Sequence, residues 1–130
     1  MKNFSFKLVD DDSVIVLIAF IDDRYRLRLA LDTAASHTTI DSNILFMLEY
    51  ELKNAIGEVE VETSNGIIIV EEYNLGKLSS INIEKTDFVV QVYDFLAHGV
   101  TSDYDGVLGL DFFKNRKICI DFEKSILSVK

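Results

Sequence analysis

One cysteine, Cys119, is the only thiol among 130 residues, so no internal disulfide can form and the composition fits a reducing compartment. Proline is absent altogether, an absence with no functional correlate elsewhere in the sequence. Positive charge is scarce: 13 Lys and Arg against 22 Asp and Glu leave a formal net charge of −9, and the cations are dispersed. A phosphate-binding face needs clustered Lys and Arg, which excludes nucleic acid as a partner. No long apolar run occurs. The most apolar window, Ser13 to Ile21, is far shorter than the roughly 20 residues that span a bilayer and is flanked by acids, so it reads as a buried strand. Met1-Lys2-Asn3-Phe4 does not open a charged region followed by an apolar core and a small-residue cleavage site, so no signal peptide is expected and a cytoplasmic location is.

Histidine is nearly absent too, with only His37 and His98. No Gly-x-Ser-x-Gly elbow exists, and Ser36 and His37 are sequence neighbours whose side chains tend to diverge, which argues against a serine nucleophile. Glu58, Glu60 and Glu62 share one face of a strand pattern with no nearby His or Cys to complete a metal site, so neither metal nor cofactor is expected. What remains is an ordinary globular composition, 48% hydrophobic and 27% charged. A chain of this length can bury a real core, and a single domain over residues 1–130 is expected.

Strand signals dominate the beginning. Phe4 to Leu8 alternates, the turn cluster Asp10-Asp11-Asp12-Ser13 follows, Val14 to Ile21 reads as a strand, and Asp22-Asp23 turns into the alternating run Tyr25 to Leu31, which predicts an antiparallel meander. The period then changes. Ile44, Leu45, Leu48 and Leu52 recur at helical spacing, with Asp41 as N-cap, Ile40 as the apolar staple outside it, and Phe46 and Met47 expected in the core. Beyond this helix, Glu58 to Glu62 and Ile67 to Val70 flank Thr63-Ser64-Asn65-Gly66, where Asn-Gly predicts a type I′ hairpin turn. Ile81 with Ile83, and Phe88 to Tyr93, supply two more strands. A polar connection from Asp94 to Asp103 leads to Asp105-Gly106-Val107-Leu108-Gly109-Leu110-Asp111-Phe112-Phe113. A second short helix is expected near Leu110, then a strand at Lys117 to Phe122 and a hairpin to Val129.

Two stretches carry the chemistry. Asp32-Thr33-Ala34-Ala35-Ser36 ends the Tyr25 to Leu31 strand, so an acid and a hydroxyl enter a tight turn beside a core. About seventy residues later comes Asp105-Gly106-Val107-Leu108-Gly109. In this order and separation the pair resembles the single-domain retropepsin-like aspartic peptidases of microbes, and the resemblance covers nearly the whole chain. It implies an all-β, mainly antiparallel, closed barrel with one or two short helices. It further implies that Asp32 is the catalytic carboxylate, that the Thr33 hydroxyl ties two active-site loops together across a dimer axis, that the hairpin tipped by Ser64, Asn65 and Gly66 is the flap over bound peptide, and that Asp105, Gly106 and Gly109 belong to a structural loop behind the site.

Two carboxylates sharing one proton can hydrolyse a peptide bond without metal or covalent intermediate. The ionised one takes a proton from water while its protonated neighbour donates to the carbonyl oxygen. The chain holds a single Asp-Thr turn, so the second aspartate is expected from a partner copy in a C2 homodimer acting on a peptide or protein substrate. Ala34 departs from the family, which favours Gly after Asp-Thr, where a Cβ is expected to be penalised. Ala35 and Ser36 fit the continuation of the motif. Two readings follow: an aspartic endopeptidase, or a catalytically impaired peptide-binding or assembly module in which Ala34 marks lost catalysis.

Overall fold

The computed structural model describes residues 1–8, 13–50, 55–100 and 102–130. Strands form where apolar and polar residues alternate: β1 (Lys2–Ser5), β2 (Val16–Ile21), β3 (Tyr25–Leu31), β4 (Thr39–Asp41), β5 (Ala55–Thr63), β6 (Gly66–Ser80), β7 (Ile83–Tyr93), β8 (Gly106–Leu108), β9 (Ile118–Asp121) and β10 (Ile126–Val129). One helix, α1 (Ser42–Met47), follows β4. In β2, Leu17, Ala19 and Ile21 are buried while Ile18 and Phe20 are exposed, the period of two expected of a strand with one face inward.

Seven strands make one sheet in the order β2-β3-β8-β4-β7-β6-β5, and β2 pairs with β6 as well. That additional pairing, from Ala19↔Ser80 to Ile21↔Leu78, closes six strands into a barrel and leaves β5 as the outer arm of a hairpin. Closure removes edges that would otherwise offer unpaired backbone groups. The all-β closed barrel expected from the sequence is therefore the fold. Two of its pairings are parallel, β3 with β8 and β4 with β7. Leu27, Leu29, Ile40, Leu75, Leu78, Ile83 and Leu108 fill the interior. The remaining strands form a second sheet, β1-β10-β9, whose Leu127 and Val129 join the same core, as does Phe6 just beyond β1.

Several local expectations need correction. β1 does not continue into a meander with β2; it pairs with β10, Lys2 opposite Val129, at the far end of the chain. Asp10 to Asp12, the turn expected between them, lie outside the described residues. Ile81 does not start a strand of its own: Ile81 and Asn82 both have positive φ and turn β6 directly into β7. A β-branched residue in that conformation is costly, and the burial of Ile81 in the core offsets the strain. The stretch after Gly109 is a run of turns rather than a second helix. There Phe112 N donates to Gly109 O and Phe113 N to Leu110 O, an i to i+3 pattern with no α-helical continuation.

Helix α1 starts as expected and ends early. Asp41 Oδ1 accepts from Asn43 N at 3.1 Å, and Ile40 outside the cap is buried. The C-cap is Leu48, and Leu52 lies outside the described residues. Phe46 and Met47, expected in the core, are 85% and 75% exposed. With Leu45 as the buried residue of so short a helix, the next two positions rotate by about 100° each away from the barrel.

Candidate active site

Strand β3 delivers Asp32 to its position. Leu31 pairs with Leu108 of β8, and Asp32 N donates to Leu108 O at 3.0 Å, so the ladder continues one residue past the strand. The chain then turns sharply. Asp32 Oδ1 accepts from Ala34 N at 2.9 Å and Ala35 N donates to Asp32 O at 3.2 Å, a turn inside a turn that holds the carboxylate by its own backbone. Asp32 is half-buried, Ala35 likewise, and Thr33, Ala34 and Ser36 are exposed. The Thr33 hydroxyl makes no hydrogen bond among the described residues. Ala34 is not among the residues with positive φ. The backbone there does not call for the positive φ that favours glycine.

β8 is wedged between β3, to which it runs parallel, and β4, to which it runs antiparallel. A glycine at its first position and another just past its last explain how closely the neighbouring backbone approaches it. A Cβ on Gly106 would overlap the carbonyl oxygen of Thr39, and one on Gly109 would lie 2.6 Å from the carbonyl carbon of His37 and 2.8 Å from Ala35 O. Asp105 joins the same three strands: its carboxylate accepts from Arg28 N at 2.8 Å, its N donates to Arg28 O at 2.7 Å, and its O accepts from Asp41 N at 2.9 Å. Asp105 thus stands beside Arg28, four residues before Asp32 along β3, a separation of about 13 Å at strand rise. The two carboxylates are too far apart to share a proton.

Asp32 lines a cleft of about 340 Å³ together with Ala34, Ala35, Ser36 and His37. The opposite wall is the β5–β6 hairpin, which contributes Val61, Glu62, Thr63, Ile68 and Val70. The register explains the choice of residues: Val59↔Val70 and Val61↔Ile68 put apolar pairs on the inner face, while Glu60↔Ile69 and Glu62↔Ile67 form the outer one. Glu62 reaches the rim from that outer row. Ser64, Asn65 and Gly66 form the tip and do not line the cleft. The turn is centred on Ser64 and Asn65, with Thr63 opposite Gly66, and the positive φ falls on Gly66 alone, so the expected type I′ turn on Asn65-Gly66 is replaced. Thr63 Oγ1 braces this tip, accepting from Asn65 N and donating to Gly66 O.

Residues that motif reading passed over complete the site. Thr38, fully buried, donates from N to both carboxylate oxygens of Asp111 at 2.9 and 3.0 Å and from Oγ1 to Oδ1 at 2.8 Å, while its Oγ1 accepts from Gly109 N at 3.1 Å. A hydrogen bond to a charged group is worth about 1.5–3 kcal/mol, and here one N–H shared by both oxygens and one O–H meet the same carboxylate, so this is a strong local clamp. Asp111 stood in the Gly-rich motif; its distance from Thr38 in sequence hid the pairing. Ser36 Oγ and His37 Nδ1 are 2.9 Å apart, so these neighbours do meet, contrary to expectation. Among the described residues no carboxylate orients the imidazole, and both side chains are exposed, which leaves the serine without the third member of a triad there. On the far wall, burial pushes the phenol of Tyr93 up, with smaller contributions from Asp41 and Tyr104, so it remains a neutral hydrogen-bonding group. Among the described residues no group of three or more His, Cys, Asp or Glu is placed to hold a metal ion, and no helix is long and apolar enough to cross a membrane.

Comparison with known proteins agrees with this arrangement. A family model described as aspartyl protease matches residues 18–112, from within β2 to the turns after Gly109. Among solved structures, the chain resembles a retropepsin-like aspartic protease from Rickettsia conorii with a TM-score of 0.68 and 19% identity, covering 96% of this chain and 87% of that one. At that identity the likeness is one of fold. No curated protein matches.

Proposed function

The chain belongs to the aspartyl protease family, and from that membership and the cleft geometry we propose that it is an endopeptidase whose catalytic pair is Asp32 and its symmetry mate in a homodimer. The carrying observation is the position of Asp32: half-buried at the end of β3, in a cleft roofed by a hairpin, with Asp105 of its own chain held at Arg28, beyond proton-sharing reach. The whole of residues 1–130 acts as one domain in this reading. A peptide lies extended between the loop 32–37 and the inner face of the hairpin, which serves as the flap. No cofactor takes part.

In the dimer, two carboxylates held close cannot both ionise, so one keeps its proton. The ionised carboxylate takes a proton from a water molecule as its oxygen attacks the scissile carbonyl carbon, and the protonated one donates to the carbonyl oxygen. Collapse of the tetrahedral species breaks the C–N bond, with a proton passing to the departing nitrogen. The unpaired Thr33 hydroxyl next to Asp32 is available to the partner loop, the role that positions both carboxylates across the axis. Ala34 adopts a backbone any residue can take, which favours catalysis over the impaired binding module.

Asp32→Asn tests the reading. The amide keeps the shape but neither ionises nor shares a proton, so cleavage of an unstructured protein should fall by at least about 100-fold with the thermal midpoint unchanged. Ala34→Gly should alter the rate little; a large gain would mean that the methyl group crowds the substrate. If Asp32→Asn cuts as fast as the parent, Asp32 is not the catalytic acid. If neither the parent nor Ala34→Gly cuts any member of a diverse peptide library from acidic to neutral pH, the chain is a binding or assembly module.

A further inference from the structure

The cleft and its chemistry leave one carboxylate unused. Asp111 touches nothing proposed to react, yet it receives three hydrogen bonds from Thr38, two from the backbone amide and one from the hydroxyl. Thr38 is the residue at which the loop carrying Asp32 re-enters the barrel, immediately before β4. Two further bonds run between the same segments: Gly109 N donates to Thr38 Oγ1 at 3.1 Å and Leu110 N donates to Ala35 O at 2.8 Å. The start of the loop is fixed by the Asp32 to Leu108 bond; its end is fixed by these. On its other side Thr38 O accepts from Gln91 N of β7 at 3.0 Å, so these bonds are what join the exit of the loop to the segment that follows β8.

We propose that Asp111 is a positioning residue for the proposed reaction: through Thr38 it sets the height and orientation of the Asp32 loop in the cleft. The inference rests on the endopeptidase reading for its kinetic consequence, but the mechanical part stands on the hydrogen bonds alone. The geometry is specific to a carboxylate. Asp111 Oδ1 accepts two bonds and Oδ2 a third, and all three come from donors. In Asp111→Asn one oxygen is replaced by an NH₂ group that faces the Thr38 amide as donor against donor, so the variant retains size and loses one attachment. Asp111→Glu keeps the acceptors on a longer stem.

The first measurement is amide hydrogen exchange in the full chain. Asp111→Asn should speed exchange at Thr38, Gly109 and Leu110 while leaving that of the barrel amides of Leu27, Leu29 and Leu75 at the parent rate. The second is steady-state cleavage of a peptide that the parent cuts. A displaced loop misplaces the reacting carboxylate, so kcat should fall by about 10- to 100-fold with little change in KM, and Asp111→Glu should recover part of the loss. If Asp111→Asn does not fold, Thr38→Val carries the same test, since it removes the hydroxyl from both Asp111 and Gly109 at nearly constant shape. Exchange that rises uniformly over the barrel would overturn the inference and make Asp111 a residue of global stability only. A loss confined to KM would overturn it too. Should the parent cut nothing, the endopeptidase reading fails, while local exchange at the loop would still decide whether Asp111 holds it.

Discussion

Glycine is scarce in this chain, and where backbones meet at the site it is indispensable. Gly106 lies where β8 presses against β4, and a methyl group there would have to displace the Thr39 carbonyl and the Ile40 Cα, both main-chain atoms of a buried strand. Gly106→Ala is therefore an overpacking change with no flexible neighbour to absorb it, and it should destabilise the fold by about 1–3 kcal/mol or more. Chemical denaturation should show a lower midpoint at an unchanged slope. Gly57 gives the contrast: a Cβ there meets nothing within 4 Å, so crowding plays no part and any cost comes from its backbone angle, φ +158. Asp32 itself is legible as a residue because it ends an alternating run in a turn. Its restraint by Asp111 is not, since a bond between residues 73 positions apart leaves no local pattern.

At the level of elements, local period and pairing have different visibility. β3 runs over Tyr25–Leu31 as its alternation predicts, and Asp41 caps α1 as its chemistry predicts. Both depend on neighbours in sequence. The partner of β1 could not be read, because its pairing with β10 spans nearly the whole chain and short strands with few buried side chains carry little register information. The end of α1 was hidden for a related reason: Phe46 and Met47 continue an apolar run, but the barrel wall contacts only one face of the helix. The hairpin shows the clearest division of labour by alternation. Ile68 faces the cleft and Ile69 faces outward, 61% exposed. Ile68→Ser should lower kcat/KM on apolar peptide substrates by about tenfold, the scale of losing an aliphatic wall. Ile69→Ser should leave both activity and stability unchanged within about 0.5 kcal/mol. Equal losses from the two variants would mean that the hairpin does not close with its inner face on the peptide.

For the whole molecule, the decisive property is that the proposed chemistry needs two copies of a chain that carries a formal charge of −9. Association brings twice that charge, −18, into one particle, so Coulomb repulsion opposes the dimer and screening should favour it. The specific activity should accordingly fall on dilution at low ionic strength and recover when neutral salt is added, with sedimentation showing the dimer population moving in step. Subunit mixing separates a shared site from a private one. When the parent and Asp32→Asn are combined in equal amounts and allowed to exchange, random pairing leaves about a quarter of the dimers with two aspartates, where half had them before mixing. If each reaction needs an aspartate from both protomers, activity should drop to about half of its value before exchange. If each protomer works alone, activity should not change. An unchanged rate after full exchange, confirmed by mass-labelled subunits, would place the second acid within one chain and make Glu62, the other carboxylate on the cleft rim, the next residue to replace.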